Sequence, residues 1–276
     1  MYPELLKVGP LTIYSYGMML AIGFIVASYF FTKELKRKGI DHNLGGNVTL
    51  FAVIFGIIGS KIHYLIEHWD KFTLEPGIAF SPGGLTFYGG LILAFLFNYW
   101  YVKYKQRVDV LKVMDAISPA LILGYGIARI GCHLAGDGDY GLPTSLPWGT
   151  IYSRGTYPPS IAFLQLPDVA QHYPGGIVPD TTPLHPTPIY EFLASLLIFL
   201  FLWRFRRRSA PDGMLFMIYL TAAALERFLI EFIRISPRMF IGLTEAQLIS
   251  AILGALGVLG ILSLRKKMMR GAESPA

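Results

Sequence analysis

Apolar residues fall into seven long runs, at about 14–32, 47–66, 85–102, 113–133, 187–203, 213–234 and 245–264. Each has roughly 17–22 residues, the length of helix that crosses a bilayer core. The pattern predicts seven transmembrane helices in an all-α polytopic membrane protein, a single integral membrane domain over 1–276. The first run is expected to be a retained helix and not a cleaved signal. Gly9 and Pro10 precede it, and no small-x-small cleavage site ends it.

Basic residues close every second boundary. The first run ends at Lys33, Lys36, Arg37 and Lys38, and the third at Lys103, Lys105 and Arg107. The fifth ends at Arg204, Arg206, Arg207 and Arg208, and the seventh at Arg265, Lys266, Lys267 and Arg270. Basic flanks stay in the cytoplasm, so the N-terminus is expected outside and the C-terminus inside. The ends of spans two, four and six then face outward. So does the connection 135–186, which is rich in Pro, Gly, Tyr and Trp and predicts an ordered periplasmic or outer-face arm.

Composition agrees with a membrane chain. Charged residues make up 15% and hydrophobic residues 53%, with mean hydropathy +0.49. A soluble domain carries about 25% charged residues. The net charge of +6 would suggest a nucleic-acid partner in a soluble protein. Here the basic residues sit between apolar runs and set topology, so no nucleic acid is expected. The single cysteine, Cys132, excludes an internal disulfide.

The candidate chemistry gathers at the expected outer ends. The fourth run leads into Arg129-Ile-Gly-Cys-His-Leu-Ala-Gly-Asp-Gly-Asp-Tyr-Gly141. Ionisable groups are expensive in a membrane and usually mark a site. Tyr16 lies in the first span, Lys61 late in the second, and Tyr88 with Gly89 and Gly90 opens the third. The fifth opens with His185-Pro-Thr-Pro-Ile-Tyr-Glu191, placing Tyr190 and Glu191 at a helix entry. Arg227, Glu231 and Arg234 are spaced four and three apart, which puts them on one helical face. They suit either a network that ties helices together or an anion site, since a guanidinium donates two parallel hydrogen bonds to phosphate. Cys132 and His133 point about 100° apart on a helix and do not form a dyad. Cys132 reads as a small buried packing residue, while His133 remains a candidate for catalysis or ligand binding. Asp137-Gly-Asp139 lacks the further acidic positions of a calcium loop, so neither metal nor cofactor is expected.

Taken in order, these motifs resemble the bacterial phosphatidylglycerol–prolipoprotein diacylglyceryl transferases over nearly the whole chain. The resemblance runs through Gly9-Pro10, Tyr16-Gly17, Gly59-Ser-Lys61, Gly83-Gly-Leu-Thr-Phe-Tyr-Gly-Gly-Leu91 and Asp115 with Pro119. It continues through Arg129-Ile-Gly131, Gly141, His185 to Glu191, and Arg227-Phe-Leu-Ile-Glu-Phe-Ile-Arg234. It implies a seven-helix enzyme at the outer face of the bacterial cytoplasmic (inner) membrane. The diacylglyceryl group of phosphatidylglycerol would pass to the lipobox cysteine thiol of a prolipoprotein signal peptide, with release of glycerol phosphate. Membrane lipids and these two substrates are the implied partners. The nucleophile is then a thiolate supplied by the substrate. Arg129 and Arg227 would stabilise the leaving phosphate, with Tyr88, His133 and Asp137 as further catalytic candidates. Tyr16, Lys61, Gly89, Gly90, Gly141, Tyr190, Glu191, Glu231 and Arg234 would hold substrate or the guanidiniums. The chain departs from the family where Tyr88 replaces histidine, Cys132 replaces asparagine, and Asp137 with an inserted residue replaces glutamate. His133 or Asp139 would compensate. The alternatives are a phospholipid-dependent transferase with another acceptor, or a non-enzymatic lipid-binding or lipid-translocating protein.

Overall fold

The structure is a computed structural model that describes residues 1–9, 11–81, 83–239 and 242–273. It is mainly helical. Strands β1 (Glu4–Val8) and β2 (Leu11–Tyr14) precede α1 (Ser15–Arg37), α2 (Asn43–Glu67), α3 (Trp69–Leu74), α4 (Phe87–Trp100) and α5 (Val110–Ala135). Short α6 (Pro159–Ala162) and α7 (Pro167–Ala170) follow, then α8 (Thr187–Phe205), α9 (Met214–Ile230) and α10 (Glu245–Glu273). The antiparallel β1–β2 hairpin is an addition to the all-α expectation. Gly9, at φ +59, supplies the left-handed turn residue between its strands.

Among the described residues, five helices are long and apolar enough to cross a membrane: Ser15–Arg37, Asn43–Glu67, Val110–Ala135, Thr187–Phe205 and Glu245–Met269. The third and sixth expected spans appear as shorter α-helices. α4 has 14 residues and passes into a π-helical turn, Tyr101–Lys105. α9 has 17 residues and stops at Ile230; residues 231–233 form a turn, and Arg234 bridges to Gly141.

The chain forms two compact units, with the boundaries falling inside α1 and α5. The unit Ser28–Ile117 is built on the packing of α2 against α4. Glycines make that contact. A Cβ on Gly59 would run into the Gly89 carbonyl, one on Gly89 into His63, and one on Gly90 into Ser60. Small residues let helix backbones approach closely in lipid, where burial of apolar surface no longer drives association. Further along, Phe55 stacks on Phe97 at 3.7 Å, and Asn47 Nδ2 donates to the Tyr101 hydroxyl at 3.0 Å.

In the unit Met1–Ala27 with Ser118–Ala276, Gly23 and Ala27 of α1 lie against Gly124 of α5. α9 packs between α8 and α10, with Gly257 and Gly260 of α10 seated on Thr221 and Met217. Residues 135–186 are ordered around a core of their own. Tyr140, Tyr152, Ala162, Phe163, Ala170, Val178 and Leu184 are buried in it, and Tyr140 donates to the Tyr157 carbonyl at 2.6 Å.

The α2–α4 contact gives a direct test. Gly59→Leu overpacks the joint at a cost of about 1–3 kcal/mol and lowers the melting temperature of the detergent-solubilised protein. Gly46→Ala, where an added methyl meets open space inside α2, does not lower it. Equal melting of the two variants would show that the glycine contact does not carry the packing.

Candidate functional site

The site begins with Glu191, in the first turns of α8 and completely buried. A buried carboxylate must find donors or lose its charge, and here α5, α9 and the segment after α9 supply them. Tyr125 of α5 donates its hydroxyl to Glu191 Oε1 at 2.8 Å. Arg227 Nη1 of α9 reaches the same oxygen at 3.0 Å, and Arg129 Nε of α5 lies 3.5 Å away. Arg234 Nη1 bonds the second oxygen, Oε2, at 3.1 Å. One carboxylate therefore orders three guanidiniums.

Two more carboxylates close the network. Asp139 bridges Arg129 and Arg234 by short ion pairs, one on each oxygen. Glu231 lies 3.1 Å from Arg227 Nη2 and 3.6 Å from Arg234 Nε. Arg129 also packs its guanidinium over the Tyr125 ring, 4.7 Å from the centroid. Three cations thus face three anions. Their exposure separates their roles: the side chain of Arg234 is 8% exposed, Arg129 17% and Arg227 27%. Arg234 is enclosed by carboxylates, and Arg227 is the most exposed of the three.

The backbone sets this geometry. Gly136 and Gly138 take positive φ and turn the chain after α5, so that Asp139 faces back on Arg129. Gly141 N–H donates to the His185 carbonyl at 2.8 Å, and Leu142 N–H to the Ile233 carbonyl at 2.8 Å. Gly141 thereby forms an antiparallel bridge with Arg234. A Cβ at Gly141 would strike the Ile233 carbonyl, so this contact requires glycine. Thr187 adds a hydroxyl bond to the Asp139 carbonyl.

This corrects one expectation from the spacing. Arg227 sits on α9, Glu231 is its C-terminal cap residue, and Arg234 lies beyond the helix on the bridge to Gly141. The three still meet, because the bridge and not the helix returns Arg234 to Glu191. Gly141 itself serves backbone pairing. Gly89 and Gly90, expected to admit a ligand, admit α2 instead.

The remaining candidates have identifiable neighbours. Tyr16 is 42% exposed, and its backbone lies against Gly131 of α5. Tyr190 accepts from Trp148 Nε1 at 2.8 Å and lies 3.3 Å from His185 Nδ1. His133 points into the 135–186 core, with Nδ1 2.9 Å from the Tyr152 hydroxyl. In the other unit, Lys61 Nζ bonds the carbonyls of Ile78, Ser81 and Gly83 at 2.6–3.1 Å and secures the approach to α4. Tyr88 is 45% exposed beside Phe87. Sequence reading missed Tyr125 and underrated Asp139. Tyr125 precedes Arg129 by four residues on one helix face, a spacing that signals contact.

The two loop aspartates titrate in opposite directions. Burial alone would raise Asp139, but Arg234 and Arg129 outweigh it and hold its carboxyl at about 2. Burial, then the nearby Asp139 charge, raises Asp137 above the ordinary carboxylate value.

The fold is that of a membrane-type helical protein, with apolar helices whose ends enclose a guanidinium–carboxylate cluster. The chain belongs to the prolipoprotein diacylglyceryl transferase family, whose sequence profile matches residues 3–263. The phosphatidylglycerol–prolipoprotein diacylglyceryl transferase of Clostridium tetani (strain Massachusetts / E88) is 32% identical over 260 residues, covering 94% of this chain and 96% of its own. The protein named phosphatidylglycerol–prolipoprotein diacylglyceryl transferase 2 of Clostridium perfringens (strain 13 / Type A) is 31% identical over 265 residues, 95% and 94% of the two chains. A transferase of the same name from Dehalococcoides mccartyi (strain ATCC BAA-2266 / KCTC 15142 / 195) is 29% identical over 259 residues, 93% and 91%.

Two outcomes follow from the cluster. Glu191→Ala leaves three guanidiniums without their common anion and destabilises the protein by about 3–5 kcal/mol, read as a loss of folded protein in detergent. A depressed folded-state carboxyl stabilises above its unfolded value, near about 4, and that stability is lost as pH falls through the folded value. Acid melting curves should therefore show the Asp139 contribution intact above pH about 4 and disappearing toward about 2. Asp139→Asn should flatten that acid limb, and a limb unchanged in the variant would remove Asp139 from the account.

Proposed function

We propose that this protein transfers the diacylglyceryl group of phosphatidylglycerol to the lipobox cysteine thiol of a prolipoprotein signal peptide and releases glycerol phosphate. The observation that carries the reading is the pair of guanidiniums, Arg129 and Arg227, held by buried Glu191 and each more exposed than Arg234. In this reaction the thiol sulfur attacks carbon and negative charge grows on the departing phosphate. Preorganised donors aimed at that charge lower the barrier most. Arg234 and Glu231 hold these two arginines in place. Tyr16 and Tyr190 contact the lipid. Asp137 and His133 shape the loop behind the phosphate. In the other unit, Lys61, Gly89 and Gly90 fix the segment that carries Tyr88.

The reading includes seven spans. α9, with 17 residues, is about 26 Å long at 1.5 Å per residue, and α4 is lengthened by its π turn. Both suit a hydrocarbon core about 30 Å thick, with modest mismatch. The alternating basic boundaries support an outer N-terminus and a cytoplasmic C-terminus. The cluster and the 135–186 arm then face the periplasmic side of the inner membrane, where signal peptides emerge.

A transfer assay tests the proposal. Purified protein is mixed with phosphatidylglycerol and a lipobox peptide, and the thioether is read by mass. Product should require the peptide cysteine and be lost with its Ala variant. Arg129→Ala and Arg227→Ala should each lower kcat at least about 10²-fold, as removal of one preorganised donor does, while the protein remains folded. Full activity in both variants would show the phosphate assignment to be wrong.

A further inference from the structure

Glu226, on α9, stands apart from the acidic residues of the cluster. Its Oε1 is buried and, among the described residues, has no hydrogen-bond partner. Glu191, Asp139 and Glu231 are each held by two or three guanidiniums. No ion pair involves Glu226 among the described residues. Yet it is within electrostatic reach of Tyr125 and Arg129 on α5, Glu191 on α8, Arg227 on its own helix, and Arg234 beyond it. It immediately precedes Arg227 and lies in the apolar sequence Leu220-Thr-Ala-Ala-Ala-Leu225 through Phe228-Leu-Ile230. Burying such a carboxyl without a partner costs stability, and nothing in the cluster's architecture requires it.

We propose that Glu226 is the proton acceptor for the incoming thiol, an inference that rests on the transferase reading above. The S–H bond breaks and its proton passes to the Glu226 carboxylate. The sulfur electron pair forms the S–C bond to the diacylglyceryl methylene. The C–O bond to phosphate breaks, and its electron pair leaves on the phosphate oxygen toward Arg227 and Arg129. The proton then passes from Glu226 to the released glycerol phosphate, so the enzyme returns unchanged. Glu191, Asp139 and Glu231 suit this role poorly, because protonating any of them releases guanidiniums from the network. Asp137 is tied to the loop turn, with Oδ1 accepting from Asp139 N–H at 3.3 Å. His133 is turned to Tyr152. Glu226 can change protonation state and leave the cluster standing.

The experiment uses the full chain in phosphatidylglycerol-containing detergent with a lipobox peptide. Thioether formation by the wild type is the control for the transferase reading, and its absence overturns that reading and this one together. With an active wild type, Glu226→Gln should lower kcat/KM about 10²-fold at pH 7, the size of a general-base contribution. That deficit should shrink roughly tenfold per pH unit as the free thiol approaches its own ionisation near pH about 8.5. A structural role would give a deficit independent of pH. Activity within about twofold of wild type at pH 7, or a constant deficit, overturns the assignment. A second arm needs no variant. The acid limb of the wild-type pH–rate profile should vanish with a selenocysteine peptide, whose selenol is already ionised, and a limb that persists overturns the proposal.

Discussion

The Glu191 carboxylate is the interaction on which the site depends. It is buried at the start of α8, and its charge is tolerable only because α5, α9 and the segment after α9 bring donors to it. The constraint runs both ways. Three guanidiniums crowded together would repel one another by several kcal/mol at low effective dielectric. Glu191, Asp139 and Glu231 make their proximity favourable. The cluster therefore joins three helices and a loop while holding two arginine edges in a fixed orientation. Of the two uses posed by the sequence, the network that ties helices together is present, and the anion site proposed above would draw on the same residues. In that proposal Arg234 serves the network, and Arg129 with Arg227 the anion.

Much of this was legible beforehand. The apolar runs located α1, α2, α5 and α8 and the start of α10, since a span needs length and hydropathy and both are local properties; α10 itself runs on to Glu273, past the expected end at 264. Arg129, Glu191, Arg227, Glu231 and Arg234 drew attention because unpaired charge is expensive in an apolar run. What sequence did not carry was non-local. The Gly141–Arg234 bridge pairs residues distant in the chain, so spacing placed Arg234 on a helix that had already ended. The N-terminal hairpin and the core of residues 135–186 likewise depend on contacts without a periodic signature. Gly89 and Gly90 show the ambiguity of glycine. The missing Cβ signals a close approach, but only structure reveals that α2 is what approaches.

The cluster also bears on the residues where this chain departs from the pattern its relatives suggested. Cys132 is buried, with its sulfur 3.8 Å from Arg129 Nη1. It fills space beside the guanidinium instead of competing with the substrate thiol. Asp139, in the Gly-Asp-Gly-Asp turn, takes the position against Arg129 and Arg234. Its carboxyl is held so low that it stays ionised at any physiological pH. The turn thus supplies a permanent anion whose function is to orient cations.

These features define a division of labour. A reaction whose nucleophile arrives with one substrate and whose leaving group departs with the other asks the protein for position, charge stabilisation and a destination for one proton. The network supplies the first two only if its carboxylates remain charged throughout, since each also anchors a helix. Proton transfer must then use a group outside the network but beside it. In an apolar helix such a group is costly, and it would be expected to be solitary. Glu226, one residue from Arg227 and outside every ion pair among the described residues, has that placement. Keeping the titrating group separate from the structural anions lets the site change charge during turnover while its architecture stays fixed.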